Sequence, residues 1–107
     1  GDTMKRKAYR QFHHGKGVKK TPYEQKPMNW FPWTYIDTYS TESGMFRSRR
    51  KFGGDGWAYK DLDTGDEHKP YDHVHDIDRS RRSAARPPNK AEKKEFAKAK
   101  RKRRFLP

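Results

Sequence analysis

The segment Gly53-Gly54-Asp55-Gly56 constrains the fold of this chain more than any other. It separates two strand-length runs, Met45–Phe52 (MFRSRRKF) and Trp57–Asp63 (WAYKDLD). Asp-Gly accommodates the positive φ of a type I′ turn, so the two runs are expected to fold back as a hairpin. Trp33–Ser40 (WTYIDTYS), rich in aromatic and β-branched residues, precedes them across the turn Thr41-Glu42-Ser43-Gly44. Tyr71–Asp78 (YDHVHDID) follows a polar link. These runs predict a small twisted antiparallel β-meander of about four strands over 33–78, an α+β fold with irregular or helical basic flanks.

Alternation along the strands sets the expected faces. With an even number of residues in both turns, Trp33, Tyr35, Tyr39, Phe46, Phe52, Trp57 and Tyr59 share one face. Ile36, Met45, Arg47, Arg49, Lys51, Lys60 and Leu62 then share the other. An odd loop at either turn breaks this segregation.

The flanks differ from the middle. Residues 1–32 read as a basic irregular arm, punctuated by Gly15-Lys16-Gly17 and by Pro22, Pro27 and Pro32, with one helical turn near Met4–Phe12. Trp30 and Phe31 in that arm could stack on unpaired bases or cover the sheet. Residues 79–107 form a basic tail, part helical or disordered. In it, Asn89 and Glu92 have the spacing of an N-cap and its capping-box partner, ahead of good helix formers. Only Phe96 and some alanines of that helix could face a core, so it is expected to lie in solvent or to form on a partner.

Hydrophobic residues make up 29% of the 107 and charged ones 38%, against roughly 45–50% and 25% in an ordinary domain. A deep apolar core is therefore not expected, and aromatic side chains must supply much of the burial. The absence of cysteine excludes disulfides, Cys-ligated zinc and thiol catalysis. The lack of a long apolar run excludes a membrane-spanning helix and a signal-peptide core. The opening Gly1-Asp2-Thr3 reads as an expression remnant or as the cut edge of a longer chain.

The net charge of +13 is unevenly spread: +6 over residues 1–32, −4 over 33–78 and +11 over 79–107. Two basic arms around an acidic middle attract a polyanion. Without an apolar face on either arm, nucleic acid is the expected partner rather than a membrane. Arg47, Lys51, Lys60, Arg79, Arg81, Arg82, Lys100, Arg101, Lys102, Arg103 and Arg104 are the expected phosphate contacts. The Arg47–Lys51 run reads equally as a charged sheet face that blocks edge aggregation.

His73 and His75 carry the most specific chemical signal. At i and i+2 on a strand both imidazoles leave the same face, about 6.6–6.8 Å apart at the backbone. Such a pair suits metal-free RNA cleavage, one ring taking the ribose 2′-hydroxyl proton and the other protonating the leaving 5′-oxygen. The route needs no cofactor but does need a cation for the developing phosphorane charge, with Arg49, Arg50 and Lys51 as candidates. Asp61 or Asp63 would orient a histidine or serve as the base. Alternatively, His73 and His75, with His68 or a nearby aspartate, would hold a divalent metal such as Zn²⁺ in a metal-dependent DNase. A third reading is a non-enzymatic RNA-binding protein, such as a ribosome component.

The pattern RSRRKFGGDGWAYKDLD, a polar link, then KPYDHVHDID resembles the C-terminal toxin domains of bacterial polymorphic toxin systems, of the contact-dependent inhibition, Rhs/YD-repeat and LXG kinds. The matching features are Arg49-Arg50, Phe52, Asp55-Gly56, Asp61-Leu62-Asp63 and His73-Val74-His75. The resemblance implies a metal-independent ribonuclease of the barnase/colicin/RelE type, with a helix before a small sheet. It also implies tRNA or rRNA as substrate, an acidic immunity protein as partner, and delivery by a toxin system into the cytoplasm of a target cell. The chain departs from that pattern in its poor N-terminal helix and in a basic tail of some thirty residues after the histidines.

Overall fold

The computed structural model describes residues 8–13, 35–65, 69–79 and 81–104. They form one six-stranded sheet and one helix. The strands are β1 (Ala8–His13), β2 (Tyr35–Ser40), β3 (Phe46–Phe52), β4 (Ala58–Asp63), β5 (His73–Asp78) and β6 (Arg81–Arg82), and the helix is α1 (Lys90–Lys100). Spatial order follows chain order, β1-β2-β3-β4-β5-β6. β2 to β5 pair antiparallel, as the turn signals predict, β6 pairs antiparallel to β5, and β1 pairs parallel to β2. The sheet thus has five antiparallel strands where four were expected, plus β1.

Residues 8–13, within the stretch expected to hold a helical turn, are instead a strand. A short segment gains little from a lone helical turn, whose nucleation is costly. Pairing with β2 over six residues satisfies its backbone instead. Trp30, Phe31, Trp33, His68 and the glycines and prolines of the first arm lie outside the described residues.

Two bulges set the faces and overturn the expected aromatic segregation. The turn after β2 is even: Tyr39 pairs with Phe46, as expected. The register then slips, so that Thr38 faces Ser48 and Arg47 is the extra residue. The turn after β3 is odd. Gly53 N–H donates to Trp57 O (2.9 Å) and Gly56 N–H to Gly53 O (3.0 Å). Gly56 takes the left-handed conformation (φ 86). This is a three-residue loop closed by a glycine bulge rather than a type I′ turn. Tyr59 is bulged out, with Lys51 opposite Lys60 and Phe52 opposite Ala58. As a result Tyr35, Tyr39 and Phe46 share a face with Arg49, Lys51, Lys60, Leu62 and Val74. Ile36, Phe52, Ala58 and Ile77 lie on the other face, with Arg50, Asp61, Asp63, His73 and His75.

The helix covers the first of these faces. Phe96 (2% exposed) and Ala99 pack with Tyr39, Phe46, Leu62 and Val74. The expectation of a helix in solvent or on a partner is therefore corrected: one phenylalanine and one small residue a turn apart suffice to seat it. Its start is as read from sequence. Asn89 Oδ1 accepts from Glu92 N–H (2.8 Å) and Glu92 Oε1 accepts from Asn89 N–H (2.9 Å), a complete capping box.

The acidic residues of the helix point inward. Glu92 accepts from Arg86 and lies 2.6 Å from Lys60 Nζ. Glu95 accepts from Arg49 (2.8 Å) and Lys51 (3.0 Å). The cations Lys90, Lys93, Lys94, Lys98, Lys100 and Arg101 are exposed. No described helix is long and apolar enough to cross a membrane.

Candidate functional site

Four backbone placements build the site on the sheet face opposite the helix. In register, Asp63 lies across from His73 and Asp61 across from His75, so two carboxylates and two imidazoles leave the same face of adjacent strands. On the far side of β5, Ile77 pairs with Arg82, which brings Arg82 onto that face from β6. On β3, Arg50 pairs with Asp61.

The side chains interlock. Arg50 donates twice to Asp61, from Nε (2.8 Å) and Nη2 (2.9 Å). Arg82 bridges the two carboxylates, donating from Nε to Asp61 Oδ2 (3.2 Å) and from Nη2 to Asp63 Oδ2 (2.7 Å). Two guanidinium groups balance two carboxylates, as burial of charge demands. Arg50, Asp61, Asp63, His73 and His75 are all buried, while the Arg82 side chain keeps 22% of its surface. Arg82 is therefore the rim of the cluster.

Both histidines are held in one tautomer by backbone carbonyls. His73 Nδ1–H donates to Tyr71 O (2.9 Å) and His75 Nδ1–H to Ser83 O (2.9 Å). In the neutral ring this turns each Nε2 lone pair toward the Asp63 carboxylate, 3.8 Å from Oδ2 for His73 and 3.7 Å for His75. Neither gap is a hydrogen bond. The rings stand edge to face with centroids 5.0 Å apart. Burial pushes the His75 imidazole below its ordinary value, with the neighbouring Arg82 charge adding to this against the pull of Ser83 O.

The structure brings together His73, His75, Asp61, Asp63 and Arg50 of the expected catalytic set. It does not place Arg49 with them. Arg49 lies on the helix face, donating to Asp37 (2.7 and 2.9 Å) and Glu95 (2.8 Å) beneath the Tyr35 ring. Burial disfavours its charge, but Asp37 and Glu95 outweigh that and hold the guanidinium above its usual value. Lys51 and Lys60 are likewise on the helix face, engaged by Glu95 and Glu92. Of the expected phosphate contacts, Lys100 pairs with Asp72. Arg79 lies over the Trp57 ring. Arg81, Arg101, Lys102 and Arg103 are exposed, and Arg47 and Arg104 are partly buried.

Sequence reasoning counted Arg82 as a phosphate contact and missed its place beside the imidazoles. The signal was its parity with His75 across the β5–β6 turn, which is legible only once β6 is recognised. Comparison with protein-family models, curated proteins and solved structures gives no match to this chain.

Proposed function

We propose that this chain is an RNA-cleaving domain of the toxin type, working by metal-free acid/base chemistry at His73 and His75. The observation that carries the reading is the convergence of two lone-pair nitrogens, fixed by backbone carbonyls, beside a guanidinium at the rim of the cluster. One Nε2 takes the proton of a ribose 2′-hydroxyl as that oxygen attacks phosphorus. The other, carrying a proton, delivers it to the departing 5′-oxygen, leaving a 2′,3′-cyclic phosphate. Arg82 takes the phosphate-facing part that Arg49 and Arg50 were expected to play, because its side chain keeps 22% of its surface whereas Arg50 is buried against Asp61 and Arg49 lies across the sheet. Asp63 holds Arg82 and faces both rings.

The +13 chain supplies the electrostatic grip on RNA, through exposed cations on the helix and tail. A toxin of this kind calls for an acidic immunity protein in the producing cell and for delivery into the cytoplasm of a target cell.

The test is cleavage of total RNA by the purified chain in excess chelator. His73→Ala or His75→Ala is expected to lower the rate by far more than tenfold with RNA affinity retained. Unchanged cleavage in both variants overturns the assignment. RNA binding without cleavage by the intact chain selects the non-enzymatic RNA-binding reading instead.

A further inference from the structure

Three potential ligand atoms, one each from Asp63, His73 and His75, lie within 4.8 Å of one another. Two bonds of about 2.1 Å at a tetrahedral angle span about 3.4 Å. The observed gaps of 3.7 and 3.8 Å from Asp63 Oδ2 to the two Nε2 atoms are only slightly wider. Each imidazole already donates its other nitrogen to a backbone carbonyl, the outer-sphere arrangement that fixes metal-ligating histidines. Arg82 does the same for the carboxylate. Two buried imidazole nitrogens and one carboxylate oxygen thus converge on one point, with Arg82 as a further partner of the carboxylate.

We propose that Asp63, His73 and His75 form a binding site for a divalent transition metal, Zn²⁺ foremost, and that the metal switches cleavage off. Two imidazole nitrogens, borderline donors, beside one carboxylate oxygen suit zinc over magnesium or calcium. The inhibitory consequence rests on the acid/base reading above; the site itself does not. A metal on both Nε2 atoms occupies the lone pairs that proton transfer needs, so metal occupancy and metal-free cleavage exclude each other.

Titration of the full chain with Zn²⁺ by calorimetry tests the site, with Co²⁺ as a spectroscopic probe. In a chain without cysteine, no thiolate can shape the Co²⁺ bands. One metal per chain is expected to bind. His73→Ala, His75→Ala and Asp63→Asn each weaken binding at least tenfold, whereas the triple change His13→Ala, His14→Ala, His68→Ala leaves it unchanged. Because those side chains are buried, the intact chain supplies a second measurement: imidazole ¹⁵N resonances should shift on zinc addition at His73 and His75. No binding, or shifts confined to the other histidines, overturns the site.

Cleavage should persist in chelator and fall at least tenfold with one equivalent of Zn²⁺. Cleavage lost in chelator and restored by Zn²⁺ overturns the inhibitory role and the metal-free reading together. Metal binding with no cleavage under either condition upholds the site, and overturns the proposed function and with it the inhibitory role.

Discussion

Glu92 shows how single side chains hold this molecule together. It is buried, closes the capping box, and receives Arg86 and Lys60. Arg86 above all, then Lys60 and the Asn89 N–H, prevail over burial and hold its carboxyl down at about 2. A carboxylate depressed on folding stabilises the native state above its unfolded value, and that contribution is lost as pH falls through the folded one. Stability is therefore expected to drop as pH falls from about 5 toward 2, and Glu92→Gln should flatten this dependence. At neutral pH the same substitution should cost about 1–3 kcal/mol in urea unfolding, since Arg86 and Lys60 lose their buried acceptor. Asp76, drawn down by Arg86, adds to the same trend.

The histidine pair was legible at this scale, because HxH alternation puts both rings on one face whatever the register. Asp61 and Asp63 were legible too, as the matching alternation one strand away. Arg82 was not, because its position depends on a two-residue strand and on Arg79 adopting a positive φ (60) in the turn before it.

Among the elements, those specified by local chemistry could be read from sequence. The Gly-rich turn, the β2–β3 turn and the Asn89 cap each rest on a few adjacent residues, and each falls where the sequence places it. The strands missed are those decided by distant partners: β1 pairs with β2 across more than twenty residues, and β6 exists only as the continuation of β5. The bulges at Arg47 and Tyr59 were also beyond reach, since an extra residue in one strand is defined by its partner's register.

The helix depends on one cap and one aromatic anchor. Asn89→Ala should cost about 1 kcal/mol. Phe96→Ala should cost about 3–5 kcal/mol, because it empties the space between Tyr39, Phe46, Leu62 and Val74. A thermal or urea unfolding series separates the two.

Over the whole molecule the charge is arranged in layers. The two acids of α1 are turned into the sheet, where they neutralise Arg49, Lys51, Lys60 and Arg86, and its lysines are turned outward. A helix of low apolar content thus docks by ion pairs around a small hydrophobic contact and still presents a cationic surface formed by Lys90, Lys93, Lys94, Lys98 and Lys100. Lys93→Glu with Lys94→Glu and Lys98→Glu should weaken RNA binding by about tenfold or more at moderate salt and flatten its salt dependence. The same triple variant should keep its helix content by circular dichroism, since none of the three side chains is buried.

The sheet stands between that cationic surface and the imidazoles. A polyanion lying straight along α1 passes over the wrong side of the molecule for His73 and His75, and must bend round an edge of the sheet to meet both. On the proposed reading, grip and scission would fall to different parts of one ligand, which would favour an RNA with a sharp bend over a straight one.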